Sequence, residues 1–423
     1  MSKNNENKLV PKLRFPEFAK EDDWVVKPLN ELGKLVNGLT YSPDDVKESG
    51  LLVLRSSNIQ NGEIVLDDNV YVRTDVKGVN LSEPNDILIC VRNGSKALIG
   101  KNALIPTGMP LCTHGAFMTV FRSDKSKFIF QLFQTTAYAK KVAGDLGATI
   151  NSINGSNFLK YEFLVPKNPE EQNKIADFLS SLDDVIKAER QKLEVLKDHK
   201  RGLLQNLLPV GKETIPKLRF KEFQNADEWN EDTLANIASF RRGSFPQPYG
   251  LPKWYDDENG MPFIQVFDVG EDFRLKPTTK RKISSLAAEQ SVFIPKGTLI
   301  ITIQGSIGRV AITQYDAYID RTLLLFEEFY QEVDITFFAY TIFLLFEIEK
   351  QKAPGGIIKT ITKEVLSSFV VKLPSIEEQQ KIASCLTSLD ELISAQTEKI
   401  ESLQLHKKGL LQGLFPNVNE VTE

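Results

Sequence analysis

Several features of secreted, membrane-bound or metal-dependent proteins are scarce in this sequence. Its 423 residues include only three cysteines, Cys90, Cys112 and Cys385, an odd number without metal-site spacing. We therefore expect no disulfide framework and a reducing, cytoplasmic environment. No apolar run approaches the roughly 18 residues of a membrane span. The most apolar stretch covers only residues 337–346, so no membrane partner is expected.

The sequence also lacks an excess of basic residues and any catalytic fingerprint. Its net charge is −4, so the overall charge gives no support for nucleic-acid binding, and any such activity must rest on local patches. The Gly-Ser turns at Gly94 and Gly305 lack the Lys-Ser/Thr that follows in a phosphate-binding loop. Cys112 and His114 have no second ligand pair at metal-site spacing. We expect no catalytic residue, cofactor or metal.

The dominant feature is an internal duplication. Residues 170–209 return at 377–416 without a gap, at an offset of 207, with 23 identities in 40 positions. Apolar residues recur in both copies at alternating steps of four and three, the heptad pattern of a coiled coil. Neither copy contains an internal proline, and each stops at Pro209 or Pro416. The pattern predicts two long helices, each about 38 residues and roughly 57 Å in length.

Two polar residues interrupt each heptad seam at matching positions, Glu189 and Lys200 in the first copy and Gln396 and Lys407 in the second. They are either solvated seam positions or residues that fix the register. The second interpretation pairs antiparallel helices with Glu189 opposite Lys407 and Lys200 opposite Gln396. It predicts that reversing Glu189 rescues a charge reversal at Lys407. The predicted interface comprises Leu182, Ile186, Glu189, Leu193, Lys200, Leu203 and Leu207 with Leu389, Ile393, Gln396, Leu403, Lys407, Leu410 and Leu414.

The duplication extends to the start of each half. The segment PKLRFPEF from residue 11 returns as PKLRFKEF from residue 216. Between each such segment and the following helix, short apolar runs broken by Gly, Pro and Asn predict a β-rich α+β domain. Segments 127–143 and 332–352 predict helices. The predicted boundaries are 1–166 and 210–374 for the two domains, 167–209 and 375–416 for the helices, and 417–423 for a tail.

The order of these motifs resembles the specificity (S) subunit of Type I restriction–modification systems. The resemblance rests on PKLRFPEF/PKLRFKEF, the two Gly-Ser turns with GSIGRVAI, EEQNKIA/EEQQKIA, SLDDVI/SLDELI and HKRGLLQ/HKKGLLQ, and it covers nearly the whole chain. The first half departs from the pattern at GSKALIGKNAL, which has extra residues where the second half has GSIGRVAI.

This resemblance implies two target recognition domains, each reading one half of a bipartite sequence in double-stranded DNA. It also implies an antiparallel pair of helices that separates the domains and docks two methyltransferase (M) subunits, to which restriction (R) subunits attach. The S subunit itself is not catalytic in that family. From the residues alone, a tandem duplication with antiparallel helices predicts a pseudo-two-fold axis, and two diverged domains on such an axis suit an asymmetric two-part target.

Candidate DNA contacts are polar residues on turns that follow apolar strands, because Arg can bind guanine edges, Asn and Gln can bind adenine, and Lys mostly contacts phosphate. A solvated loop residue is the alternative for each of them. The first domain offers Arg55, Ser57, Asn58, Arg92, Asn93, Ser95, Lys96, Lys101, Asn151 and Ser152. The second offers Arg241, Arg242, Gln247, Tyr249, Gln265, Gln304, Ser306, Arg309, Arg321 and Lys359.

Two functions of different classes remain at this point. The motifs favour a non-catalytic DNA-recognition subunit, whereas the acidic net charge favours a duplicated coiled-coil adaptor that binds only proteins. A self-sufficient nuclease or methyltransferase has no motif in its support. The sequence does not reveal the recognised bases, because no simple code links loop residues to DNA sequence.

Overall fold

The first half of the chain folds into short strands where the sequence alternates apolar runs with polar turns. The computed structural model describes residues 10–146, 151–352 and 363–416. The strands are β1 (Val25–Pro28), β2 (Lys34–Asn37), β3 (Val46–Lys47), β4 (Leu51–Leu54), β5 (Ile59–Gln60), β6 (Glu63–Ile64), β7 (Val70–Val72), β8 (Ile87–Cys90), β9 (Asn102–Leu104), β10 (Cys112–His114), β11 (Met118–Arg122) and β12 (Glu162–Val165). The helices are α1 (Leu29–Leu32), α2 (Ser126–Leu132), α3 (Thr136–Asp145), α4 (Gly155–Phe158) and the long α5 (Pro169–Leu207).

The second half follows a related order of elements. Its strands are β13 (Asn230–Thr233), β14 (Ala238–Arg242), β15 (Met261–Ile264), β16 (Arg281–Ile283), β17 (Val292–Ile294), β18 (Leu299–Thr302), β19 (Val310–Ile312), β20 (Ala317–Ile319), β21 (Leu323–Phe329) and β22 (Val370–Leu373). Its helices are α6 (Leu234–Ile237), α7 (Ser285–Ala288), α8 (Ile335–Lys352), α9 (Lys363–Ser367) and the long α10 (Ile376–Leu414). The helix predicted at 332–352 is thus a single element, whereas 127–143 divides into α2 and α3, because the Thr135 hydroxyl caps a new helix start.

The two halves share the topology of one four-stranded sheet. One four-stranded sheet has the order β2-β11-β8-β9 in the first half and β14-β21-β18-β19 in the second, and all of its pairs are antiparallel. A second sheet contains one parallel pair, β4 with β10 and β15 with β20. A two-stranded ribbon, β1 with β12 or β13 with β22, joins the start of each domain to the strand that leads into its long helix.

Each domain completes its core with parts of both long helices. The chain divides into one unit of residues 1–189 and 399–423 and a second unit of residues 190–398. In the first unit, Leu179 of α5 and Leu411 of α10 belong to the same buried apolar cluster as Trp24. In the second unit, Leu204 of α5 and Leu386 of α10 belong to the corresponding cluster. Each unit therefore uses the start of its own helix and the end of the other copy.

The duplicated PKLRF segment attaches each domain to the start of its helix. Arg14 donates two 2.8 Å hydrogen bonds to the carboxylate of Glu171, and Arg219 donates bonds of 2.8 and 2.7 Å to Glu378. Both carboxylates are about 1% exposed. Each arginine also binds two backbone carbonyls, so its fixed donor geometry holds the segment in place. The glutamates belong to the EEQ motif, which explains why the two motifs recur together.

The same segment also contacts the end of the other helix copy. The backbone N–H of Leu13 donates to the carbonyl of Gly413 at 2.9 Å, and that of Leu218 donates to the carbonyl of Asn206 at 2.8 Å. A Cβ atom at residue 413 would lie 2.5 Å from a methyl carbon of Leu13, which explains the glycine at this position. The PKLRF segment thus binds both helices within its unit.

Candidate nucleic-acid interface and the helix pair

In the first unit, the carboxyl ends of β4 and β10 meet at one edge because the two strands are parallel. Beyond them, the N–H of Gly115 donates to the carbonyl of Leu54 at 3.0 Å. The side-chain amide of Asn93, which follows β8, donates to the hydroxyl of Ser56 at 3.2 Å. Turns from two sheets therefore converge on one surface, which we call edge 1 (residues 37–39, 55–58, 91–95, 114–117 and 151–152).

The second unit builds an equivalent surface from the ends of β14, β15, β18 and β20. The N–H of Ser244 donates to the carbonyl of Ile319 at 3.1 Å, and the N–H of Asp320 donates to the carbonyl of Ile264 at 3.0 Å. We call this surface edge 2 (residues 241–249, 265–268, 303–306 and 320–322). Polar side chains after buried strands point outward here, which suits contact with a nucleic acid.

The structure brings most of the first-domain candidates together at edge 1. Ser57, Arg92 and Ser95 are exposed there, and Arg55, Asn93, Asn151 and Ser152 are half-buried. Lys96 and Lys101 instead line a cleft of about 460 Å³ beside α3. Arg55 is engaged already, since its guanidinium forms a 2.7 Å ion pair with Asp68.

Asn58 differs from the prediction of an exposed contact. Its side chain is fully buried. Its oxygen accepts the N–H of Arg55 at 2.9 Å, and its amide nitrogen donates to the carbonyls of Val65 and Asp68. Asp268 accepts the N–H of Gln265 in the same way at 2.8 Å. A short polar residue is needed here to close the turn, so we withdraw Asn58 as a DNA contact.

Edge 2 collects Arg241, Arg242, Gln247, Tyr249, Gln265, Gln304, Ser306 and Arg321. Two of the predicted arginines already have carboxylate partners. Arg241 binds Glu327 at 2.5 Å, and Arg309 binds Glu271 at 2.8 Å and the carbonyl of Val269. Sequence reasoning missed these pairs because the partners lie 86 and 38 residues away. Lys359 lies outside the described residues.

Close backbone approach at each edge requires a glycine. A Cβ at Gly38 would lie 2.1 Å from the carbonyl oxygen of Gly115, and one at Gly243 would lie 2.3 Å from that of Ile319. We expect Gly243→Ala to lower the free energy of unfolding by about 1–3 kcal/mol, since the backbone must shift. Chemical denaturation measures this loss. Gly94→Ala is the matched control, because no atom of the described residues lies within 4 Å of its added methyl group. An equal loss for Gly94→Ala would contradict this prediction.

The long helices are antiparallel, and duplicated ion pairs fix their register. In the first unit Lys407 binds Asp183 at 2.5 and 2.7 Å. Lys399 binds Glu189 at 2.5 Å. In the second unit Lys200 binds Asp390 at 2.5 Å, and this pair is the copy of Asp183–Lys407 at the offset of 207.

This register differs from the predicted one. Lys407 was expected opposite Glu189 and Lys200 opposite Gln396, but each lysine pairs with an aspartate six residues closer to the start of the partner helix. Asp183 and Asp390 lie one position after the seam leucines, so the heptad pattern alone assigned them to the surface. The recurrence of SLDD and SLDE at matching positions was the available signal.

Each aspartate also binds its own domain. The amide of Gln131 donates to Asp183 at 2.9 Å, and the hydroxyl of Tyr340 donates to Asp390 at 2.5 Å. Burial raises the pKa of Tyr340 well above its ordinary value, so the phenol remains a donor. Each ion pair therefore joins the two helices and the domain core at one point.

His114 and Cys112 lie on β10 directly beneath edge 1, and both are buried. The imidazole donates from Nε2 to the carbonyl of Val36 at 2.9 Å and accepts at Nδ1 from the Ser82 hydroxyl at 3.0 Å. Within the described residues, no group of three His, Cys, Asp or Glu side chains could hold a metal ion. The pair has a structural role in the sheet.

Burial lowers the pKa of His114 below 6.5, so the folded state holds the neutral ring. The unfolded chain then binds more protons at pH values below about 6.5, and stability must fall as the pH decreases from 7 towards 5. We expect His114→Asn to weaken this pH dependence. Urea unfolding at several pH values measures it, and identical slopes for both proteins would contradict the prediction.

No helix in the described ranges combines the length and apolar character needed to cross a membrane.

Comparison with known proteins places these features in a family. The model for the Type I restriction modification DNA specificity domain matches residues 21–198 and 227–405. The EcoKI specificity subunit of Escherichia coli K12 is 30% identical over 196 residues, which cover 43% of this chain and 42% of that protein. The MjaVIII specificity subunit of Methanocaldococcus jannaschii is 24% identical over 432 residues and covers 95% and 93%.

Solved structures show the same fold. The crystal structure of a Type I S subunit from M. genitalium matches with a TM-score of 0.59 at 17% identity, covering 97% of this chain and all of that one. A chain from a study of complex assembly in a type I system matches with a TM-score of 0.54 at 16% identity, covering 92% and 96%.

Proposed function

Because this chain belongs to the family of Type I restriction modification DNA specificity subunits, we propose that edge 1 and edge 2 each read one half of a bipartite DNA target. The chain is a non-catalytic specificity subunit with two recognition domains. The finer assignment rests on one observation. The two domains share a backbone framework at the edges but present different side chains there.

The shared framework is specific. Gly38 and Gly243 occupy equivalent close approaches, and the turns capped by Asn58 and Asp268 follow equivalent strands. The exposed side chains nevertheless differ, since Arg55 in one turn corresponds to Gln265 in the other. A common scaffold with different hydrogen-bonding groups suits two half-sites of different sequence.

We propose the recognition domains at 1–166 and 210–374 and the helices at 167–209 and 375–416. At edge 1 the proposed contacts are Arg55, Ser57, Arg92, Asn93, Ser95, Asn151 and Ser152, with Lys96 and Lys101 beside phosphate. At edge 2 they are Arg242, Gln247, Tyr249, Gln265, Gln304, Ser306 and Arg321, with Arg241 and Arg309 oriented by their acidic partners. Lys359 stays a sequence-based proposal.

The helices are the proposed docking surface for two methyltransferase subunits, through which restriction subunits attach. Val185 and Leu392 occupy equivalent positions of α5 and α10, and their side chains are 45% and 55% exposed. His199 and His406 form a second exposed pair at the offset of 207. The same surface presented twice suits two copies of one partner. The structural neighbour studied for complex assembly supports such an interaction.

Methylation mapping tests the proposal. The chain is expressed with its neighbouring methyltransferase in a host without related modification, and modified bases are sequenced genome-wide. We expect a bipartite methylated motif that disappears without the chain. Replacing residues 11–160 by those of another specificity subunit should change only one half of the motif.

The alternative is an adaptor that binds only proteins, which the net charge of −4 favours. An active methyltransferase whose methylated motif does not depend on this chain would support it. Weak DNA binding by the isolated chain would not, because phosphate contacts of a basic partner can dominate affinity.

A further inference from the structure

We propose that Arg92 and Arg321 are the guanine-reading residues of the two domains, an inference that rests on the proposed function and names the base each edge recognises. Among the arginines of the two edges, these two combine an exposed guanidinium, the absence of an ion pair within the described residues, and an aromatic ring beneath it. These three properties are independent of one another, and both positions have all three.

Most other arginines near the edges are bound to carboxylates. Arg55 binds Asp68, Arg241 binds Glu327 and Arg309 binds Glu271. A carboxylate accepts hydrogen bonds from N–H groups that would otherwise donate to a base. These arginines therefore need to break an existing contact before they read a base.

In Arg92 and Arg321, the flat face of the guanidinium contacts an aromatic ring instead. The guanidinium carbon of Arg92 lies 5.7 Å from the ring centre of Phe117, and that of Arg321 lies 5.0 Å from the ring centre of Tyr249. A ring contact uses the flat face of guanidinium and leaves its in-plane N–H groups available. Those groups match the O6 and N7 acceptors of guanine in the major groove.

The residues that carry these rings are themselves held in place. The carbonyl of Phe117 accepts the N–H groups of both Val91 and Arg92 at 3.1 Å, although its ring is 60% exposed. The hydroxyl of Tyr249 donates to Asp320, which is buried. The ring of Phe245 lies 4.9 Å from that of Tyr249. The Tyr249 ring beneath Arg321 is thus fixed at its hydroxyl and packed against Phe245, and the backbone of Phe117 is fixed beside Arg92. Both reduce the ordering required on binding.

Two further arginines, Arg242 and Arg281, lack part of this combination. Arg242 is exposed at edge 2 without an ion pair or a ring contact among the described residues, so it suits phosphate rather than a fixed base contact. Arg281 of β16 stacks at 3.9 Å on Tyr255 but forms a 3.2 Å ion pair with Asp257. It therefore has the ring contact but not the freedom from a carboxylate that Arg92 and Arg321 share.

The test compares Arg92→Lys and Arg321→Lys in the methylation assay with the control Arg73→Lys, an arginine that binds Asp45 at 2.9 Å outside both edges. Lysine keeps the charge but cannot form the planar two-bond contact. We expect each reader variant to relax one G·C position in one half of the motif, with discrimination reduced about 10- to 100-fold. The opposite half should stay intact, which shows that the variant assembles. The control should keep the full motif.

A second measurement tests whether each arginine contacts the N7 atom of a guanine. Purified wild-type complex is bound to duplexes in which one guanine at a time is replaced by 7-deazaguanine, which lacks the N7 acceptor. We expect one weakened position per half-site, and no further weakening at that position for Arg92→Ala or Arg321→Ala. Unchanged motifs for both lysine variants would overturn the inference while leaving the proposed function intact. A wild-type chain without any motif would overturn both.

Discussion

Replacement of Arg219 by alanine is expected to lower the free energy of unfolding by about 3–5 kcal/mol. The Glu378 carboxylate is buried, and among the described residues it accepts side-chain hydrogen bonds only from Arg219. Removing the guanidinium leaves an uncompensated charge in the interior and releases two backbone carbonyls. Chemical denaturation followed by circular dichroism measures the loss.

The duplication provides a graded comparison. Arg14→Ala removes the equivalent guanidinium, but the indole N–H of Trp24 still donates to Glu171 at 3.2 Å. The indole N–H of Trp229, by contrast, is buried and has no hydrogen-bond partner among the described residues. We therefore expect a smaller loss for Arg14→Ala. Lys381→Ala removes an exposed ion pair to Glu222 between the same two segments, and should cost less than about 1 kcal/mol. Equal losses for Arg219 and Lys381 would contradict this account.

Charge reversal at Lys200 is the second change with a large expected effect. Lys200→Glu places a carboxylate beside Asp390, and it removes the ammonium group that lies 4.8 Å from the ring centre of Phe273 and 5.3 Å from that of Tyr340. Because both charged groups are largely buried, we expect a loss of about 3–5 kcal/mol. Adding Asp390→Lys should recover at least half of it in a double-mutant cycle.

The first unit gives the control for register. Lys407→Glu should be rescued by Asp183→Lys and not by Glu189→Lys, because Lys407 binds Asp183. Rescue by Glu189→Lys would favour the register predicted from the heptad seam. Lys197→Glu lies on the exposed face of the same helix as Lys200, and should change stability by less than about 0.5 kcal/mol.

The duplication made the architecture predictable, because each long helix is marked in the sequence by a heptad pattern that ends at a proline. The seam leucines alone do not predict the register, since they match at many offsets, and the lysine pairs of Asp183 and Asp390 distinguish one of these offsets. Their effect depends on Gln131 and Tyr340, which come from the domains and not from the helices. A pattern within one helix carries no information about such partners.

In the candidate site, too, the location of the residues was predictable and their contacts were not. Polar turns after apolar strands gather at edges 1 and 2, which contain most of the predicted residues, and their contact with DNA stays a prediction. Whether a side chain is ion-paired, stacked on a ring or buried depends on partners that are distant in the sequence. Arg241 and Arg321 look equivalent in the sequence, yet Glu327 binds the first and Tyr249 orients the second. Asn58 looks like an exposed turn residue but is the buried cap that forms the turn.

The discontinuous first unit has a consequence for synthesis on the ribosome. The second unit is one uninterrupted segment, 190–398, whereas the first requires residues from 399 onward. Phe415 packs 6.3 Å from Trp24 and 5.5 Å from Phe128, so their shared core stays open until the last turn of α10 emerges. At about 5–20 residues per second, the nascent first unit waits roughly 10–40 s. The domain that is translated first is therefore completed last, and its exposed aromatic residues are a natural target for chaperones during that interval.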